Sequence, residues 1–322
     1  MRTDDLITVA IPLYNHEEFI EECLNSILSQ GISSIELLLL DDGSKDDGYE
    51  IACRWEEQNR VHFERTLFKT QTNAGITRTI DQLIQLANGR FILFVASDDV
   101  LLPGSIISRL ELFEDERVNA VFGDAIPIDE NGRVLAESAI SNLGVKASRV
   151  ALSDPRTLLW ELVFRWNIYG SVNFFRRNSL LSGCGRSVLD LGLYSEDMQL
   201  YYMFAAMNSL RYLDLPVSLY RMHSGSTCRS EANDHLIRKN IYQSRRVALH
   251  HITGMLRCII KLQMITSYRK QCGATKVFLM PIIIGAYGIL WAARVFYDLF
   301  RLVVLKQKRD EVESRVVSCR GL

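Results

Sequence analysis

Paired-cysteine spacings are missing from this sequence: its seven cysteines are an odd, scattered set with no Cys-x-x-Cys or Cys-x-x-x-Cys. That argues against a disulfide framework and against a structural zinc site. Cys23 falls on the apolar face of an expected helix and reads as a small hydrophobe. Neither sign of charge dominates, with 37 basic and 38 acidic residues for a net charge of -1. Such a balance sets up no global field and points to no nucleic-acid partner, although a nucleotide cleft needs only local charge. After the first strand comes neither Gly-x-Gly-x-x-Gly nor a glycine-rich basic loop, but Asn15-His16-Glu17-Glu18. This weighs against a Rossmann dehydrogenase and a nucleotidyltransferase. Internal repeats and low-complexity tracts are absent as well.

The start, Met1-Arg2-Thr3-Asp4-Asp5, lacks the basic region, apolar core and cleavage site of a signal peptide, so a cytoplasmic location is expected. Val277 to Ala293 is free of charge, but its seventeen residues fall short of the roughly 20 that usually cross a bilayer. Pro281, Gly285 and Gly288 interrupt it, and Lys276 and Arg294 bracket it. Arg294, Asp298 and Arg301 then alternate with Val295, Phe296, Leu299, Phe300, Leu302 and Val303. The pattern predicts an amphipathic helix, either peripheral at the inner face of the cell membrane or packed in a homo-oligomer. Lys306, Lys308 and Arg309 would favour anionic headgroups.

What the chain does have is a strand–helix rhythm over 6–124. Leu6–Leu13, Glu36–Leu40, Val61–Phe63, Phe91–Ala96 and Ala120–Phe122 are expected strands. Helical faces recur at Phe19–Leu28, Asp46–Gln58 and Ile76–Ala87, the last closed by Asn88-Gly89, and another starts at Pro103. Asp129-Glu130-Asn131-Gly132 reads as a hairpin turn. Alternation of this kind predicts an α/β layer structure around a mostly parallel sheet. Pro155–Phe164 should be helical, Ser171–Phe175 extended, and Ser195 suits a helix cap. Val217–His223 suggests a strand. From Ala232 the pattern is helical, with many basic residues over 238–276.

Polar clusters fall where the apolar strands stop: Tyr14-Asn15, Asp41-Asp42-Gly43-Ser44 and Ser97-Asp98-Asp99. In a parallel sheet these would open on one edge, where ligands bind. Crowded carboxylates suit a site at which a divalent cation meets a diphosphate. Taken singly, Asp-Asp-Gly-Ser is also a turn signal, and Ser-Asp-Asp a helix-start or turn device.

The ordered set Pro12-x-Tyr14-Asn15, Asp41-Asp42-Gly43-Ser44, Asn73-x-Gly75, Gly89-Arg90-Phe91, Ser97-Asp98-Asp99, Gly170-Ser171, Gly183, Glu196-Asp197 and Tyr220-Arg221-x-His223 resembles the family 2 glycosyltransferases of GT-A fold. The likeness runs over about 7–230. It implies an α/β, GT-A type nucleotide-sugar-binding sandwich with a central mostly parallel sheet, followed by C-terminal helices. The expected units are a catalytic domain over 1–230, with a donor half (1–125) and an acceptor half (126–230), and a helical appendage over 231–322. Its apolar segment is 277–305. The implied activity is inverting transfer of a sugar from a nucleotide diphosphate donor to a hydroxyl of a glycan or lipid-linked acceptor, with Mn²⁺ or Mg²⁺. A membrane-associated scaffold or a degenerate nucleotide-binding protein is the alternative.

Carried over residue by residue, the resemblance places Pro12, Tyr14, Asn15, Asp41, Asp42, Asn73 and Asp98 at the donor. Asp99 becomes the principal metal ligand, with Asp98 and His223 beside it. Arg221 would meet phosphate through its fork, and His223 offers an imidazole to metal or diphosphate. Ser97 stands where the family's Asp-x-Asp has its first carboxylate, which leaves open which of Asp98 and Asp99 binds metal. Asp81 replaces a usual Asn. Asp197 resembles the base that takes the acceptor proton as its oxygen attacks opposite the leaving diphosphate, and Glu196 would orient the acceptor. By residue type alone, Glu196 and Asp197 also suit a first helical turn. Trp160, Trp166 and Tyr169 are expected as an acceptor platform, since sugars stack on aromatic faces, with a core role for at least one tryptophan the competing reading.

Overall fold

The computed structural model describes residues 5–144, 146–166, 168–192, 196–223, 225, 234–268, 288–302 and 304. Four strands build the first half: β1 (Ile7–Leu13), β2 (Ile35–Asp41), β3 (Arg65–Thr70) and β4 (Phe91–Phe94). They alternate with α1 (Ile20–Leu28), α2 (Gly48–Asn59) and α3 (Ile76–Leu86). After β5 (Val100–Leu101) and α4 (Ser105–Leu110) comes the long strand β6 (Ala120–Asp129). Next are α5 (Ala139–Asn142), α6 (Arg149–Leu152), α7 (Pro155–Phe164), β7 (Asn173–Arg176), α8 (Glu196–Ala206) and β8 (Leu210–Met222). Helices α9 (Asp234–Ala248) and α10 (Gly254–Tyr268) follow, and the chain is helical again over 288–302.

The strands form one sheet in the order β3-β2-β1-β4-β7-β6-β8-β5. β1 runs parallel to β2 and β4, β2 to β3 and β6 to β8, while β7 and β5 pair antiparallel with their neighbours. Every residue of β2 is buried. Its alternate side chains feed two cores: Leu37 and Leu39 pack with α1 and α2, and Leu38 and Leu40 with α3. The expected mostly parallel α/β fold is therefore present.

Some expected boundaries shift. Val61–Phe63 falls within and beside a short 3₁₀ turn, Arg60–His62, and the third strand starts at Arg65, where pairing with Glu36 begins. Ala120–Phe122 extends to Asp129 because β8 supplies a partner along its length. The Asp129–Gly132 turn forms, with the Arg133 carbonyl accepting from the Asp129 amide. Helix α7 matches its expected span. Ser195 and, of the apolar segment 277–305, residues 277–287, 303 and 305 lie outside the described residues. Among those described, no helix is long and apolar enough to cross a membrane.

The sheet edge opposite the strand ends is tied by Glu36, a buried acid in an otherwise apolar run. It accepts from Thr8 Oγ1 at 2.6 Å, the Asn88 amide at 2.7 Å and Asn88 Nδ2 at 2.7 Å, and it pairs with Arg65. Burial alone would raise its pKa, but these hydrogen bonds outweigh that and lower it. The network fixes the turn entering β4. A Cβ on Gly89 would stand 2.5 Å from the Thr8 nitrogen and 2.7 Å from the Phe91 carbonyl oxygen, so only glycine fits.

Candidate active site

Parallel pairing brings the carboxyl ends of β1, β2 and β4 to one edge, with Leu13 opposite Asp41. Directly after β1, Asn15 takes φ 53°, a left-handed conformation that asparagine tolerates. Its amide donates to Ser44 Oγ at 2.9 Å and its Oδ1 accepts from the Lys45 amide at 2.8 Å. This turn delivers His16, whose Nδ1 lies 2.8 Å from Ser97 Oγ.

The two carboxylates after β4 face different surroundings. Asp99 is buried: its Oδ2 accepts from the Ser171 amide at 2.8 Å and Ser171 Oγ at 2.7 Å, and its Oδ1 from the Arg221 amide at 3.0 Å. Asp98 instead reaches two imidazoles. Its Oδ2 is 3.0 Å from His223 Nε2, just past β8, and its Oδ1 is 3.9 Å from His16 Nδ1. One ligand atom each of His16, Asp98 and His223 lies within 4.8 Å of the others, an arrangement that can hold a metal ion. The cluster borders a cleft of about 400 Å³ lined also by Tyr14, Glu17, Asp46 and Glu130.

Electrostatics distinguish these groups. Partial burial lowers the His16 pKa and His223 lowers it further, against an upward pull from Asp98, so its imidazole is neutral at pH 7 and free to act as a ligand. Burial would raise Asp98, but the hydrogen bond from His223 and the charge of His16 bring it down. Asp99 is pushed up by burial and by Asp98 beside it, against three hydrogen bonds that favour its ionised form.

Several expected site residues prove to be builders of the site. Asp99 stands outside the imidazole–carboxylate cluster because its oxygens are committed to Ser171 and Arg221, so Asp98 rather than Asp99 faces the histidines. Arg221 is buried with its fork spent: Nε donates to the Asp98 carbonyl at 2.9 Å, one terminal nitrogen to the Glu130 carbonyl at 3.2 Å, and the other pairs with Glu22 at 2.5 Å. Its guanidinium also lies 4.9 Å from the Phe19 ring centroid. It braces the Asp98 loop instead of reaching toward a phosphate. Asp41 accepts from Ser44 and from Thr70 Oγ1 at 2.9 Å. Asp42 accepts from the Ala74 and Gly75 amides at 2.7 and 2.9 Å, fixing the start of α3. Asn73 is exposed, with its backbone against Gly43. Pro12 lies within β1 and Tyr14 is exposed at the cleft.

The aromatic expectation divides. Trp160 leaves the acceptor side: it stacks on Tyr297 of the C-terminal helix at 5.9 Å and 4°. Trp166, half-buried, packs against the core on Tyr201 and Tyr202. Tyr169 stacks on Tyr220 at 5.7 Å, next to the Gly170-Ser171 turn that holds Asp99. Gly170 takes φ 74°, and a Cβ there would come within 3.0 Å of Tyr220. Asp197 is exposed on the first turn of α8, yet crowding by surrounding protein raises its pKa, against the Met198 amide that donates to its Oδ1 at 2.7 Å. It is not a member of the His16–Asp98–His223 cluster. The side chain of Glu196 lies outside the described residues. Asp81 accepts from Ser187, which anchors a loop on α3.

Sequence reading missed His16 as a site residue. Its only signal was its place, third after the first buried strand and beside two residues already singled out.

The sheet thus opens acidic and imidazole groups at the carboxyl ends of its parallel strands, an α/β layer fold with a candidate divalent-cation site. The sequence matches the profile of "Glycosyl transferase family 2" over residues 8–179. The match covers more than half of the chain, and the protein belongs to that family. "Glycosyltransferase GlyA" of Streptococcus pneumoniae is 23% identical over 239 residues, 71% of this chain and 32% of GlyA. The chain spans less than two thirds of the length of the curated relatives it matches. S. aureus TarS in complex with UDP-GlcNAc superimposes with a TM-score of 0.58 at 17% identity, covering 88% of this chain and 80% of that one. The mannosyltransferase PcManGT from Pyrobaculum calidifontis, in complex with GDP-Man and Mn²⁺, gives 0.54 at 15% identity, with 91% and 83% covered. At these identities the likeness establishes the fold.

Proposed function

We propose that this protein is an inverting glycosyltransferase that moves a sugar from a nucleoside diphosphate to a hydroxyl of a glycan or lipid-linked acceptor, in polysaccharide or surface-glycan synthesis. The observation that carries the reading is the convergence of His16, Asp98 and His223 in one cleft of a family 2 chain. Two imidazoles with one carboxylate suit Mn²⁺ better than Mg²⁺, which prefers an all-oxygen shell. Such an ion, when bound, neutralises phosphate oxygens and stabilises the departing diphosphate.

The chain's own residues do the rest. Asp98 supplies the negative charge between the two imidazoles, and Arg221 and Asp99 hold its loop in place. Tyr14, exposed at the cleft, offers a ring to the base. Asp197 takes the acceptor proton, and its raised pKa makes it a better base than an ordinary carboxylate. The expected place of work is the cytoplasmic face of the cell membrane.

The test is binding and hydrolysis across a panel of nucleotide sugars with Mn²⁺, Mg²⁺ or chelator. UDP-GlcNAc and GDP-Man, bound by TarS and PcManGT, head the panel. One donor turned over only with metal supports the reading. No interaction with any donor, from folded protein, would favour a scaffold or degenerate site. Asp197→Asn should keep donor binding and lose transfer by about a hundredfold or more; normal transfer by the folded variant would remove Asp197 from the mechanism.

A further inference from the structure

The helix at 288–302 is fastened to the protein along one face only. Tyr297 is buried there, and Leu290 and Ala293 pack on the main core. Below the Trp160–Tyr297 stack, Glu161 is buried and accepts from the Tyr297 hydroxyl. Arg165 lies 3.2 Å from Glu161 and 2.6 Å from Asp298. These contacts tie the helix to α7.

Its other face is apolar and bare. Ile289, Trp291, Phe296, Leu299, Phe300 and Leu302 are all exposed, Trp291 by 70%. At about 100° per residue, the arc from Trp291 round to Phe300 meets only apolar residues, with Asp298 at its border and Arg294 beyond it. A contiguous apolar face of this kind marks an interaction site.

Charge says what covers it. From His235 to Tyr297 the sequence has ten lysines and arginines and not one aspartate or glutamate, in a chain whose overall charge is -1. A second copy would bring a second stretch of the same sign. An anionic surface would be attracted by such a stretch.

We propose that the outward face of the 288–302 helix docks on an anionic lipid bilayer, with its apolar side chains immersed at the boundary of headgroups and acyl chains. The inference does not depend on sugar transfer, since the surface stands apart from the cleft residues.

The test uses the full chain with vesicles of phosphatidylcholine alone or mixed equally with phosphatidylglycerol. The expected result is co-sedimentation with the anionic vesicles only, and quenching of tryptophan fluorescence by brominated lipid that disappears in Trp291→Phe. A triple variant, Trp291→Ser, Phe296→Ser and Leu299→Ser, should partition at least about a hundredfold less well. Its donor binding should be unchanged. Failure of the wild-type protein to bind either vesicle would overturn the proposal, whatever the variants do. So would a concentration-dependent dimer, seen by light scattering, that the triple variant abolishes while vesicle binding stays intact.

Discussion

Replacing Asp98 and Asp99 in turn by asparagine should produce two different defects. The ligand atoms of His16, Asp98 and His223 lie within 4.8 Å of one another, and Asp98 is the one carboxylate among them. Unit charges 4 Å apart at an effective dielectric near 20 interact by about 4 kcal/mol. Allowing water to recover about half of that leaves roughly 2 kcal/mol, or about thirtyfold in affinity. Asp98→Asn is isosteric and keeps an oxygen to accept from His223, so folding stability should change little. Asp99→Asn behaves differently. Its oxygens accept from Ser171 on one side and the Arg221 amide on the other, so the new NH₂ group must face a donor in either orientation. That leaves a buried amide unpaired and should cost about 1–3 kcal/mol of stability. Calorimetric titration with Mn²⁺ and urea unfolding of both variants measure the two effects. If folded Asp99→Asn lost Mn²⁺ affinity while Asp98→Asn kept it, the assignment drawn from the side-chain geometry would be refuted.

Gly89→Ala should destabilise the protein by about 2 kcal/mol or more in urea unfolding, because its Cβ would collide with the backbone of Thr8 and Phe91. Glu161→Leu should cost about 3 kcal/mol, leaving Arg165 and the Tyr297 hydroxyl short of a partner, and should speed proteolytic release of the C-terminal helix. His16 has a folded-state pKa below its ordinary value of 6.5, so on acidification the unfolded chain takes up its proton first. Its contribution is intact above pH 6.5 and is lost as pH falls from there through the folded value. Urea midpoints measured across that window should drop less steeply in His16→Gln than in the wild type.

Local pattern was enough to fix much of the fold. The apolar runs of β1 and β2, the spaced faces of α1 and α3, and the turn at Asp129–Gly132 are short-range signals, and each forms close to where the residues place it. The third strand was misplaced because Val61 and Phe63 flank His62 in a strand-like alternation that finds no partner strand, whereas Arg65–Thr70 is mixed in character and pairs with β2. Strand propensity cannot see pairing.

Residue order was enough to identify the family, the edge of the sheet where polar residues gather, and the two acids after β4. Which of those acids meets the two imidazoles was settled by packing across the sheet. Ser171 and Arg221 turn Asp99 inward from 72 and 122 residues away, and His16 and His223 reach Asp98 from the loops after β1 and β8, strands that are not neighbours in the sheet. The same holds for Trp160, drawn from the expected acceptor side by a tyrosine far along the chain. A carboxylate or an indole carries no local mark of the side to which it turns. That direction is set by hydrogen-bond donors and rings brought in by distant segments, and these meet only when the sheet closes.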